Sequence, residues 1–103
     1  MQDLTQEQWQ KQLADDDNAV IIDVRTPHEI AEGYIPEALF MNIQDAGSFM
    51  QKAQELDKTK SYFVYCRVGG RSKQACMILD SIGFENTFNL MGGFENWQGA
   101  KTQ

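Results

Sequence analysis

Cysteine and histidine, the usual ligands of structural zinc, number only two and one in this 103-residue chain. They are too few for the four ligands of a structural zinc site, no CxxC redox pair is present, and a disulfide framework would need more cysteines. A structural metal is not expected. Proline is nearly absent, at two residues, and glycine numbers eight, well short of the roughly 25–30% share that marks low-complexity chains. No uncharged apolar run approaches the roughly 18 residues needed to cross a bilayer. The opening MQDLTQEQWQKQLADD has no basic stretch followed by an apolar one, so neither a membrane partner nor a signal peptide is expected. Positive charge is also in deficit, with 9 Lys and Arg against 15 Asp and Glu and a net charge of -6. Such a surface repels a phosphate backbone, which excludes nucleic acid as a partner. The scarcity of cysteine and the missing leader point to a reducing, cytoplasmic location.

What is present reads as one α/β domain over residues 1–103, 42% hydrophobic. Thr5 with Gln8 forms a capping box, and Leu4 and Trp9 form a hydrophobic staple around it, predicting a helix to about Leu13. AVII, Ala19 to Ile22, is a continuous apolar run of the kind buried on both faces of a parallel sheet. Thr26-Pro27-His28-Glu29 is a second capping box, with Pro at the first helical position, and predicts a short helix stopped by Gly33. ALFMNI (Ala38 to Ile43) is a strand, and Phe49, Met50, Ala53 and Leu56 recur at helical spacing. SYFVY (Ser61 to Tyr65) is the next strand. The segment Ser72 to Ile82 is a helix with Ala75, Ile78, Leu79 and Ile82 on one face. TFNL (Thr87 to Leu90) is a fourth strand, and Phe94 to Trp97 a closing helical turn. Alternating strands and helices imply βαβ units, hence a mainly parallel central sheet with helices on both faces.

In open parallel sheets, ligands bind beyond the carboxyl ends of the strands. Two segments fall there: Asp23-Val24-Arg25, and Cys66-Arg67-Val68-Gly69-Gly70-Arg71-Ser72. In the second, glycines let successive N–H groups turn inward as an anion-binding nest, and the following helix adds its positive end. Lys58 through Leu79 holds five cations and no Asp or Glu. That basic island predicts a small anionic ligand and a depressed thiol pKa, making Cys66 the candidate nucleophile. Arg67, Val68, Gly69, Gly70, Arg71, Ser72 and Arg25 are the candidate substrate-binding residues. A cysteine phosphatase needs five residues between its Cys and its phosphate-binding Arg, whereas four separate Cys66 from Arg71 and Ser72 stands where that Arg belongs. The tighter ring suits the terminal sulfur of a persulfide. No His or Asp adjoins Cys66 as a general base, which disfavours a peptidase-type dyad.

At these residues the sequence resembles the single-domain rhodanese, or thiosulfate sulfurtransferase, family. The resemblance rests on Asp23-Val24-Arg25, on EIAEGYI (Glu29 to Ile35) followed by Pro36, on CRVGGRS, and on Met91-Gly92-Gly93 with Trp97. It departs from the family pattern at Tyr34, where His is usual, and at Glu37, where Gly is usual. The resemblance implies a rhodanese-like fold and a double displacement. In it Cys66 attacks the outer sulfur of a donor such as thiosulfate, carries it as a persulfide and yields it to a thiol or cyanide, with a small anionic sulfur donor as partner and with no metal or organic cofactor needed. Arg67 and Arg71 would hold the oxyanion end of the donor. A sulfur-carrier module working with a protein donor or acceptor, and having little activity on free thiosulfate, is the alternative; a phosphatase stands third.

Plainer roles stand beside these. Arg71 can instead brace the loop by pairing with Glu29 or Glu32, and Asp23 and Arg25 can pair to brace the strand end. His28 reads as a solvated surface residue. Cys76, ten residues from Cys66 along a helix and too far for a disulfide, reads as core, as do Trp9 and Trp97.

Overall fold

The computed structural model describes residues 1–103. Five parallel strands, β1 (Gln2–Leu4), β2 (Ala19–Asp23), β3 (Leu39–Phe40), β4 (Ser61–Tyr65) and β5 (Asn86–Leu90), lie in the order β1-β5-β4-β2-β3. Between them run α1 (Gln6–Asp15), α2 (Pro27–Ile30), α3 (Ala46–Glu55) and α4 (Gly70–Ser81), and a 3-10 turn covers Phe94–Asn96. The central pair is β2 and β4, joined in register from Ala19 opposite Ser61 to Asp23 opposite Tyr65. The connections out of these two strands lead in opposite directions, to β3 and to β5. This is the switch point at which an open parallel sheet leaves a crevice.

Alternation along the strands sorts the apolar side chains into two cores. Ile22, Tyr62 and Val64 turn to one face and meet Phe49 and Ala53 of α3 and Ala75, Cys76 and Leu79 of α4. Ile21, Phe63 and Tyr65 turn to the other and meet Trp9 of α1, Leu4, Leu90 and Trp97. Helices therefore cover both faces, and every residue of β4 is buried. Each large side chain so enclosed contributes on the order of 1.5–3 kcal/mol. Cys66 continues the parity of Tyr62 and Val64, which aims its side chain at the face occupied by α4.

Both predicted capping boxes form, at Thr5 and at Thr26. α1 runs to Asp15 rather than Leu13 and α4 starts at Gly70 rather than Ser72. The strand expected over Ala38 to Ile43 shrinks to Leu39–Phe40, because this edge strand follows β2 only at Ile22 and Asp23. β1 was not expected at all: its three residues owe their conformation to pairing with Phe88, Asn89 and Leu90 of β5. No helix is long and apolar enough to cross a membrane.

Candidate active site

The carboxyl ends of β2, β4 and β5 lead respectively into Val24-Arg25, the Cys66 loop and Met91-Gly92-Gly93. The turn after β5 supports the loop from below. The Phe94 N–H donates to the Cys66 carbonyl at 2.9 Å, and the Glu95 N–H donates to the Arg67 carbonyl at 3.0 Å. Gly93, at φ 61°, lies so close that a Cβ there would fall 2.4 Å from the Arg67 carbonyl oxygen. Only glycine permits this approach.

Cys66 is buried, at 1% exposure, with its sulfur inside the curled loop. The Gly69 N–H donates to Sγ at 3.0 Å, and Ser72 Oγ lies 3.4 Å from Sγ. Gly69 makes the turn at φ 113° and is the N-cap of α4, which has no side-chain cap. The sulfur therefore occupies the position where a cap would satisfy the first free N–H groups of the helix. Burial pushes the Cys66 thiol up. Hydrogen bonds from the Ser72 hydroxyl and from the N–H groups of Ser72, Gly69 and Val68 outweigh it, so the thiol ends below its ordinary value. Burial pushes the Cys76 thiol up to about 12, and Cys76 is free and fully enclosed as the sequence indicates.

The depressed thiol was expected from a basic island, and the structure replaces that reason. Lys58 and Lys60 precede β4, while Cys66 follows it, so a five-residue strand of about 3.3 Å per residue stands between them. The three cations near the loop are each paired. Arg71 Nη1 and Nη2 donate to Glu29 Oε1 and Oε2 at 2.7 and 2.8 Å. Arg67 Nη1 lies 3.2 Å from Glu95, and Lys73 Nζ lies 3.3 Å from Asp3. These carboxylates come from α2, the 3-10 turn and β1, all far from the loop in sequence. Backbone and hydroxyl donors therefore lead in stabilising the thiolate.

Arg25 is 3% exposed. Its guanidinium donates to both Asp23 oxygens, at 3.0 and 2.8 Å, and to the Gly33 carbonyl at 2.7 Å, and lies 4.4 Å from the centre of the Phe94 ring. Asp23 and Arg25 thus form the bracing pair anticipated from the sequence. Tyr65 joins them: its hydroxyl donates to Asp23 at 2.6 Å and accepts the Ile35 N–H at 3.0 Å. Burial and the Asp23 carboxylate hold the Tyr65 phenol well above its usual range.

Sequence reasoning missed Asn89 and Asp3. The Asn89 side-chain amide donates to Asp3 at 2.9 Å, and its carbonyl, 2.5 Å from Ser72 Oγ, shares the single Ser72 hydroxyl proton with Cys66 Sγ. Position within TFNL carries no sign of this, since the contact arises from β5 lying between β1 and β4. Tyr34 and Glu37, the two departures, lie away from the loop. Tyr34 exchanges backbone hydrogen bonds with Thr102, and Glu37 adopts φ 71° without being glycine.

Comparison with known proteins fits this geometry. The rhodanese-like domain model matches residues 6–100. This chain belongs to the rhodanese-like domain family. It is 36% identical over 95 residues to a sulfurtransferase of Allochromatium vinosum, covering 92% of this chain and 86% of that protein. It is 30% identical over 89 residues to the thiosulfate sulfurtransferase GlpE of Pseudomonas syringae, covering 86% and 81%. A crystal structure of a Staphylococcus saprophyticus protein superposes with a TM-score of 0.83 at 28% identity, over 100% of both chains. The parallel α/β architecture of this rhodanese-like chain is thus that of its relatives.

Proposed function

We propose that this rhodanese-like protein is a sulfurtransferase that carries sulfane sulfur on Cys66. The thiolate attacks the outer sulfur of thiosulfate or of a persulfide donor, releases sulfite or a thiolate, and holds the sulfur as a persulfide. A thiol or cyanide then removes it. The observation that carries this reading is Sγ seated among the N–H groups of Val68, Gly69 and Ser72 with the Ser72 hydroxyl beside it. Those donors, with the loop backbone of Arg67 and Gly70, would stabilise the terminal sulfur anion. Arg67 is the exposed cation free to exchange its Glu95 partner for the oxyanion end of a donor, whereas Arg71 shapes the loop through Glu29 and Arg25 acts through Asp23. The names of the relatives favour sulfur transfer over phosphoryl transfer.

The test is to incubate the protein with a sulfur donor and weigh it intact. A gain of roughly 32 Da on Cys66, removed by dithiothreitol and absent in Cys66→Ser, is the expected result; an unchanged mass with every donor overturns it. A second reading, a carrier that exchanges sulfur with a partner protein, is favoured by the exposed Val68 and Met91 side chains flanking Gly69, at 50% and 45% exposure. It predicts faster turnover on a protein persulfide than on thiosulfate.

A further inference from the structure

Beside the Cys66 loop lies a cleft of about 310 Å³ lined by Arg25, Glu29, Glu32, Arg67, Phe94 and Glu95. Its size is at the lower end of small-molecule pockets, roughly 300–1,000 Å³, and suits an amino-acid-sized ligand. The cleft touches the loop twice, since Arg67 directly follows Cys66 and Glu29 grips Arg71 near the other end. Two of its charges are already committed: Arg25 to the buried Asp23, and Glu29 to Arg71. What faces a ligand is therefore Glu32, which takes part in none of the ion pairs, and the Arg67–Glu95 pair. Both members of that pair are more than half exposed, so opening it costs little.

A dianion can claim only Arg67 in this cleft, and it meets the unpaired carboxylate of Glu32 together with the released carboxylate of Glu95. A ligand bearing one ammonium and one carboxylate finds a partner for each, Glu32 for the first and Arg67 for the second. From this we infer that the cleft recognises the α-amino-acid head of a low-molecular-weight aminothiol hydropersulfide, and that this class is the preferred small sulfur donor. The inference rests on the Cys66 persulfide reading and narrows its substrate. In the transfer, the Cys66 thiolate forms a bond to the terminal sulfur of R–S–S–H, and the existing S–S bond breaks with its electron pair leaving on R–S⁻. Cys66 ends as Cys66–S–S–H, the proton staying on the transferred sulfur. Atoms and charge balance without an oxidant or reductant.

The test follows persulfidation of Cys66 by intact mass, with cysteine hydropersulfide and two truncated donors. The hydropersulfide of 3-mercaptopropionate lacks the ammonium, and that of cysteamine lacks the carboxylate. Glu32→Gln should raise KM roughly 3- to 10-fold for the cysteine and cysteamine donors and leave the mercaptopropionate donor unchanged. Arg67→Gln should raise KM for the cysteine and mercaptopropionate donors and leave cysteamine unchanged. Equal shifts for all three donors, or no shift with any, overturn the subsite while leaving the persulfide reading intact. Absence of the sulfur adduct with every donor overturns both.

Discussion

Glu29 holds Arg71 through both carboxylate oxygens, at 2.7 and 2.8 Å. The same carboxylate closes the capping box of α2, accepting the Thr26 N–H and hydroxyl, each at 3.1 Å. One acidic side chain thus fastens the first turn of α2 to the first turn of α4, across 42 residues of sequence. The arginine that ends the cysteine loop is engaged in shaping it. Both partners are only about a quarter exposed, so the bidentate pair is stronger than an open surface bridge.

That pair has a pH signature. Arg71, ahead of the Thr26 donors, holds the Glu29 carboxyl at about 2, below its ordinary 4.5. Folded Glu29 binds protons less readily than unfolded Glu29, so its contribution is complete above about pH 4.5 and is lost as pH falls toward 2. Denaturant titration of Glu29→Gln should show a loss of about 1–3 kcal/mol at neutral pH. The difference from the natural protein should shrink through that acid window; a pH-independent difference would refute the ionic role.

The two cysteines should differ in alkylation by iodoacetamide. Cys66 should react with a pH midpoint below that of the same thiol in the unfolded chain, while Cys76 should stay unmodified until the protein unfolds. Ser72→Ala removes a hydrogen bond to a charged group, worth about 1.5–3 kcal/mol. It should raise the Cys66 midpoint and slow sulfur transfer by roughly 10- to 100-fold. An unmoved midpoint would mean that the amides suffice.

Gly93→Ala should be among the most damaging single changes. Its Cβ would lie 2.4 Å from the Arg67 carbonyl oxygen and 2.7 Å from the Cys66 carbonyl oxygen, and neither backbone atom can swing aside as a side chain would. A loss of several kcal/mol in denaturant unfolding, with reduced Cys66 reactivity in whatever remains folded, is expected. Near-normal stability and reactivity would show that the loop yields easily.

Glu37→Gly should act in the opposite direction. Glu37 sits at φ 71°, where a side chain costs roughly 1–2 kcal/mol and glycine costs nothing. Part of that gain returns as the greater freedom of glycine in the unfolded chain, leaving a net stabilisation of roughly 0.5–1 kcal/mol by chemical denaturation. A destabilised variant would mean that the Glu37 side chain makes a compensating contribution.

Much of the fold is legible because it is written in local chemistry. Thr5 with Gln8 and Thr26 with Glu29 cap helices through residues three positions apart, and SYFVY forms β4 over the expected residues. β1 and the shortness of β3 are not legible, since edge strands are made by their neighbours rather than by their own three or two residues. The same division runs through the site. CRVGGRS identifies the sulfur and its donors because nest and helix start are continuous in the chain. The pairing of Arg71 with Glu29 could be named only as one of two options, and the part played by Asn89 and Asp3 not at all.

By itself, then, the order of residues determined which thiol opens the loop and which amides surround it, because the four-residue turn between β4 and α4 and the start of that helix are continuous in the chain. Only the packed sheet decided the electrostatics. It brings Glu29, Glu95 and Asp3 from three distant elements onto Arg71, Arg67 and Lys73, and it leaves Lys58 and Lys60 at the far end of β4. Charge counted along a chain takes no account of direction, whereas charge felt by a sulfur depends on distance and on what already neutralises it.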